Sequence, residues 1–255
     1  MTPFPPRAAA PGLALAPGEI HVWSIRLDPP ADRVERLWAL LAEDEQARAN
    51  RFRFDRHRRQ YAVGRGALRT LLAGYLGTRP ELIRFAYGPR GKPFLAAPAG
   101  APAAGGLQFN LSNSDEMALV GFVHGVEIGV DVEFQKPMPD CEQIAERFFS
   151  PSEREVLRAL PPAVKEEAFF NCWTRKEAYL KAVGEGLAAP LDSFDVTLAP
   201  GDSPRMLTLK GDAVRAGRWI FRHFVPAERY IGAFAIEGAP PGGGEWRVGA
   251  WAMEM

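Results

Sequence analysis

The run Glu127-Ile128-Gly129-Val130-Asp131-Val132-Glu133 constrains this chain more than any other stretch. Its alternation of apolar and polar residues reads as a strand, in which Val130 and Val132 seek a core while Asp131 and Glu133 share the opposite face. Two carboxylates side by side repel unless a cation or a proton lies between them. Such hard oxygen donors suit Mg²⁺ better than zinc. Gly129 would admit a ligand or another backbone at close range. The same pattern also fits a half-exposed strand with a solvated polar face, and the segment alone leaves both readings open.

A second constraint is the helical segment from Phe169 to Lys181. At about 100° per residue, Phe169, Trp173 and Leu180 form one apolar stripe, with Lys176 near its middle and Glu177 at its edge. Glu177 and Lys181 stand at i and i+4, a spacing that a simple surface ion pair would explain. That pairing leaves Lys176 unexplained, and a charge inside a core-facing stripe tends to mark function.

The third is an arginine cluster, Arg48 to Arg59, with six arginines and one acid in twelve residues. Arginine suits bidentate phosphate contact. A solvated helix face and a short nucleic-acid patch interleaved with Phe52 and Phe54 are the competing readings. The whole chain argues against the latter, because 31 Lys+Arg balance 31 Asp+Glu. The balance hides an asymmetry: residues 1–125 carry 16 basic and 11 acidic residues, and residues 126–255 carry 15 and 20.

Around these segments the pattern is that of an α+β protein. Strands are expected at Glu19 to Leu27, Leu82 to Tyr87, Leu107 to Leu111 and Met117 to Val123, with helices from Ala31 and through the Tyr61 to Tyr75 stretch. After Gly125 the order recurs loosely: a strand to Phe134, helices from Cys141 to Val183, then five strand-like runs ending at Ala252. The expected division is a flexible tail over 1–18, an N-terminal subdomain over 19–125 and a C-terminal subdomain over 126–255. AAPAGAPAAGG, residues 96–106, reads as a low-complexity surface loop. Two cysteines cannot build a disulfide framework, and no run reaches the length of a membrane span, so a cytoplasmic protein without membrane association is expected.

These pieces occur in a familiar order. The chain resembles the Sfp-type 4'-phosphopantetheinyl transferases through E-x-x-R-x-x-R-F at Glu45 to Phe52, G-R-x-x-L-R at Gly64 to Arg69, G-K-P at Gly91 to Pro93 and F-N-L-S at Phe109 to Ser112. The resemblance continues with G-V-D-V-E at Gly129 to Glu133, R-F-F-S at Arg147 to Ser150 and W-x-x-K-E-A-x-x-K at Trp173 to Lys181. It runs from about Glu19 to Val196, and G-V-D-V-E followed by W-x-x-K-E is its specific element.

The resemblance implies two similar α/β subdomains related by a pseudo-two-fold, with coenzyme A in the cleft between them. It implies transfer of 4'-phosphopantetheine from coenzyme A to a serine of an apo acyl, peptidyl or aryl carrier protein, with release of adenosine 3',5'-bisphosphate. Asp131, Glu133 and Glu177 would hold Mg²⁺, and Glu177 or a metal-bound water would take the serine proton. Lys181 would balance charge on the leaving phosphate and Lys176 would contact the diphosphate. Arg48, Arg51, Arg65, Lys92, Ser112 and Asn113 match positions that bind coenzyme A. Asn113 stands where relatives commonly have His, which implies weaker coenzyme A binding with less pH dependence. A catalytically silent binder of coenzyme A or carrier proteins is the alternative, and a monomer is expected because one chain carries both halves.

Overall fold

The computed structural model describes residues 4–9, 12–96, 106–184 and 190–254. Most of the expected low-complexity loop, residues 97–105, lies outside them, as do residues 1–3, 10 and 11 of the N-terminal segment.

Two 22-residue helices organise the molecule, α3 (Asp55–Leu76) and α6 (Pro162–Val183). Each ends on a glycine in the left-handed conformation, Gly77 and Gly184, which terminates a helix without a Cβ clash. Before α3 come β1 (Pro6–Arg7), β2 (Glu19–Arg26), α1 (Ala31–Ala39) and α2 (Glu43–Ala49). Between the long helices lie β3 (Phe85–Tyr87), β4 (Pro93–Leu95), β5 (Leu107–Ser114), β6 (Met117–His124), β7 (Ile128–Phe134), α4 (Cys141–Phe148) and α5 (Pro151–Ala159). The chain then adds β8 (Phe194–Val196), β9 (Met206–Leu209), α7 (Ala213–Ala216), β10 (Trp219–Phe224), β11 (Tyr230–Glu237) and β12 (Arg247–Met253).

The first sheet has the order β1-β12-β2-β6-β5, and α3 packs its apolar face, Val63, Leu68, Leu71 and Leu72, against it. The second, β10-β11-β7, is antiparallel and carries α6. A third apolar cluster, including Ile20, Val22, Leu119, Val130, Val132 and Phe234, joins the two sheets. The mixed α+β class agrees with the sequence pattern.

Two features concern the ends of the chain. Pro6 and Arg7 pair in parallel with Ala252 and Met253, the Arg7 guanidinium lies 4.3 Å from the centre of the Trp251 ring, and Leu13 is buried. Among the described residues of this segment, backbone hydrogen bonds and cation–π contact thus hold Pro6 and Arg7. The last strand, β12, pairs in parallel with β2 and so returns to the sheet of the N-terminal residues. β12 thus follows residue 125 in sequence and lies between β1 and β2 in the first sheet.

Gly129 fixes how closely α6 sits on β7. A Cβ there would lie 2.0 Å from the Ala178 carbonyl oxygen and 2.3 Å from the Ala182 nitrogen. The backbone that Gly129 admits is that of α6, and this contact brings Glu177 and Lys181 down to the carboxylates of β7.

Candidate active site

Along β7 the alternation works as read: Val130 and Val132 are fully buried in the inter-sheet cluster, and Asp131 and Glu133 face the other way. Strand β5 offers its own alternating set. Ser112 Oγ donates to Asp131 Oδ1 at 2.9 Å, and Ser114 Oγ donates to Glu133 Oε2 at 2.6 Å. Asn110 Oδ1 accepts the Val130 amide at 2.8 Å, and Ser114 Oγ accepts the Phe134 amide at 3.1 Å. Residues 110, 112 and 114 share a face at a two-residue period. Sequence reasoning missed Asn110 and Ser114, although that period was there to be read.

From α6, Lys181 Nζ donates to Asp131 Oδ1 at 2.6 Å and to Ser112 Oγ at 2.7 Å. Glu177, four residues earlier and one turn away, joins the same face. The three acids feel one another. Burial pushes the Asp131 carboxyl up against the opposing pull of Lys181. Burial and the Asp131 charge raise Glu133, and burial with the Asp131 and Glu133 charges raises Glu177. Two buried oxygens, Asp131 Oδ2 and Glu177 Oε1, have no hydrogen-bond partner. Among the described residues no group of three or more His, Cys, Asp or Glu stands ready as a metal cage. The donors nevertheless fit a hard cation: they are all carboxylates, they repel one another, and two of their oxygens are unpartnered.

Two cavities share the lining residues His57, Gln60 and Asn113, and one of them reaches Glu133. One of about 390 Å³ is lined by Arg48, Phe52, Tyr61, Arg65, Tyr87 and Asn113, among others. Arg48 lies over the Tyr61 ring at 5.5 Å. The Arg65 guanidinium lies 3.7 Å from the Phe85 ring centre and donates to Tyr87 Oη at 2.7 Å. Buried Glu45 pairs with both Arg65 and Arg69, which fixes Arg65 at the cavity wall. The second cavity, of about 610 Å³, runs from Glu133 and Lys136 along an apolar wall containing Met138, Ile144, Phe169 and Trp173.

Three expected coenzyme A contacts, Lys176, Lys92 and Arg51, line neither of these two cavities. Lys176 is 1% exposed and points to the far side of α6, where it pairs with Glu153 at 2.9 Å and donates to the carbonyls of Leu191 at 2.6 Å and Phe194 at 2.5 Å. It is a buried structural cation, which corrects its reading as a diphosphate contact; adjacent helical residues diverge by about 100°. Lys92 ties the β3-β4 hairpin to the rest of the chain through Glu127 at 2.6 Å and the Ala182 carbonyl at 3.1 Å. Its neighbours Gly91 and Pro93, rather than Lys92 itself, line the 390 Å³ cavity. Arg51 is exposed and lines neither cavity. The structure therefore brings together Asp131, Glu133, Glu177, Lys181 and Ser112, with Arg48, Arg65 and Asn113 in the adjoining cavity.

Comparison with known proteins bears on this geometry. Residues 127–235 match the profile of the 4'-phosphopantetheinyl transferase superfamily, and residues 26–122 match that of the 4'-phosphopantetheinyl transferase N-terminal region. The chain is 42% identical over 228 residues to the 4'-phosphopantetheinyl transferase HetI of Nostoc, covering 89% of this chain and 92% of that protein. It is 32% identical over 181 residues to a 4'-phosphopantetheinyl transferase of Bacillus subtilis, covering 70% and 77%. With AcpT of Salmonella typhimurium, another 4'-phosphopantetheinyl transferase, it shares 40% over 131 residues, 51% of this chain and 62% of that one. Matches of this extent, in both halves of a chain whose acids converge on one site, establish that the protein belongs to the 4'-phosphopantetheinyl transferase family.

Proposed function

We propose that the chain transfers 4'-phosphopantetheine from coenzyme A to a serine of an apo carrier protein, with Mg²⁺ held by Asp131, Glu133 and Glu177. The observation that carries this reading is the convergence of three carboxylates, buried Asp131 and half-buried Glu133 and Glu177, two with unpartnered oxygens, of which Glu133 lines a cavity that shares three residues with the one walled by Arg48 and Arg65. Mg²⁺ bound there would neutralise and align the coenzyme A diphosphate.

The chain's own groups do the rest. Ser112 and Ser114 hold Asp131 and Glu133 in place by hydrogen bonds. Arg48 and Arg65 bind the nucleotide end, and the apolar wall of the second cavity takes the pantetheine arm or the approaching carrier. Glu177, on the same face of α6 as Lys181, accepts the proton of the carrier serine as its oxygen attacks the β-phosphorus. The bond from that phosphorus to the bridging oxygen breaks, and adenosine 3',5'-bisphosphate leaves. Lys181 offsets the charge that develops on it. In this reading the two long-helix halves are related by a pseudo-two-fold, and a cytoplasmic monomer suffices because one chain supplies both cleft walls.

The test is intact-mass spectrometry of apo acyl, peptidyl and aryl carrier proteins incubated with the chain, coenzyme A and Mg²⁺. Gain of one phosphopantetheine supports the reading. Unchanged mass for every carrier, with coenzyme A still bound, would favour a silent binder instead.

A further inference from the structure

The two cavities share three lining residues, His57, Gln60 and Asn113. These form a ridge between the arginine-walled cavity and the one that reaches Glu133. Gln60 and Asn113 are neutral amides, and the Gln60 side-chain amide already donates to the Asp115 carbonyl at 2.8 Å. His57 is the ridge's one group able to carry positive charge.

It is also a held group rather than a loose one. His57 sits in the first turn of α3, exposed to solvent. Its ring meets Phe52 edge-on at 6.5 Å and Phe54 edge-on at 5.7 Å. The charged groups around the two cavities leave it a distinct place. Arg65 is committed to Glu45 and Arg56 to Asp115. Arg48 lies in the first cavity only; Glu133 and Lys136 lie in the second only.

We propose that His57 is a substrate-positioning contact for the diphosphate of coenzyme A, where that substrate crosses from the nucleotide cavity to the carboxylates. This rests on the transferase reading, because that reading requires one ligand to span both cavities. A guanidinium-walled cavity lies at one end and the acids at the other, and His57 is the one residue lining both cavities that can bear a charge. The motif comparison drew attention to Asn113 alone; the fold adds an imidazole beside it from a segment more than fifty residues earlier.

The experiment compares wild type, His57→Gln and His57→Arg by isothermal titration with coenzyme A and, separately, with adenosine 3',5'-bisphosphate. The latter lacks the phosphate on the pantetheine side. Expected is a roughly three- to fivefold weaker affinity of H57Q for coenzyme A, little change for the bisphosphate, and recovery in H57R. In turnover the same loss should appear in KM for coenzyme A, with kcat and the KM for the carrier unchanged. Equal weakening for both ligands would make His57 part of the nucleotide cavity and overturn the proposal, as would no change for either. Failure of the wild type to bind coenzyme A at all would instead remove the transferase reading and this inference with it.

Discussion

The two sides of α6 carry adjacent charged residues in opposite conditions. On the side away from the cavities, Lys176 and Glu153 are 1% and 2% exposed in their side chains and fully engaged. Glu153 also accepts the amides of Ser150 at 2.9 Å and Val196 at 2.8 Å, while the Lys176 ammonium lies 4.2 Å from the Phe194 ring centre. On the cavity side, three carboxylates face one lysine, and two of their oxygens have no partner. Burial of charge is common to both sides; the Lys176–Glu153 pair has its partners in place, and the carboxylates do not. The satisfied side holds α5, α6 and the 191–197 segment together, and the unsatisfied side is the one to which the proposed function assigns a cation and a polyanion.

The largest expected effect is on the satisfied side. Lys176→Met leaves Glu153 buried without its cation, at a cost of about 3–5 kcal/mol, measured by urea unfolding. The affinity of the remaining folded protein for coenzyme A should be unchanged. A K176M protein of normal stability that no longer bound coenzyme A would invert the comparison. Asp131→Asn should do the opposite, lowering the transfer rate by about 10²- to 10³-fold with no loss of thermal stability.

Gly129→Ala should affect both sides together. Its Cβ would fall 2.0 Å from the Ala178 carbonyl oxygen, so α6 must move off β7, costing about 1–3 kcal/mol and displacing Glu177 and Lys181. A G129A chain with wild-type rate and unfolding midpoint would show that the helix-to-strand distance does not set the site.

Smaller effects come from titration. The folded-state pKa values of Asp131, Glu133 and Glu177 are raised by burial and mutual repulsion. Stability from such groups is greatest below the unfolded carboxylate range and is lost as pH rises through the raised values. In EDTA, wild type should therefore lose stability relative to Glu177→Gln between acid and neutral pH, in paired urea titrations. Added Mg²⁺ should raise the Tm of wild type and leave that of E177Q unmoved. Smallest of all, Asn113→His should lower KM for coenzyme A a few-fold, more at pH 6 than at pH 8, because the added imidazole charges in that range. No change across the range would mean that position 113 does not touch phosphate.

Local periodicity made much of this legible. The two-residue alternation of β7 separated Asp131 and Glu133 from Val130 and Val132, and helical spacing put Glu177 and Lys181 on one face. What it could not supply was the partner across space. Lys176 looked anomalous on its helix because Glu153, which completes it, lies 23 positions earlier on α5. Lys92 sits in the expected motif, yet Glu127 and the Ala182 carbonyl hold it. The Pro6–Arg7 strand was hidden because its pairing partner, β12, ends the chain. The ridge of His57, Gln60 and Asn113 joins α3 to β5 and has no sequence period at all.

The central claim is that the acids of the unsatisfied side act through a divalent cation in phosphopantetheine transfer. Intact-mass time courses on an apo carrier protein test it directly, using wild type with Mg²⁺, wild type with EDTA, and D131N shown by circular dichroism to be folded. The account predicts addition of one phosphopantetheine in the first case and essentially none in the other two. Modification of the carrier at the wild-type rate in EDTA, or by D131N, would contradict it.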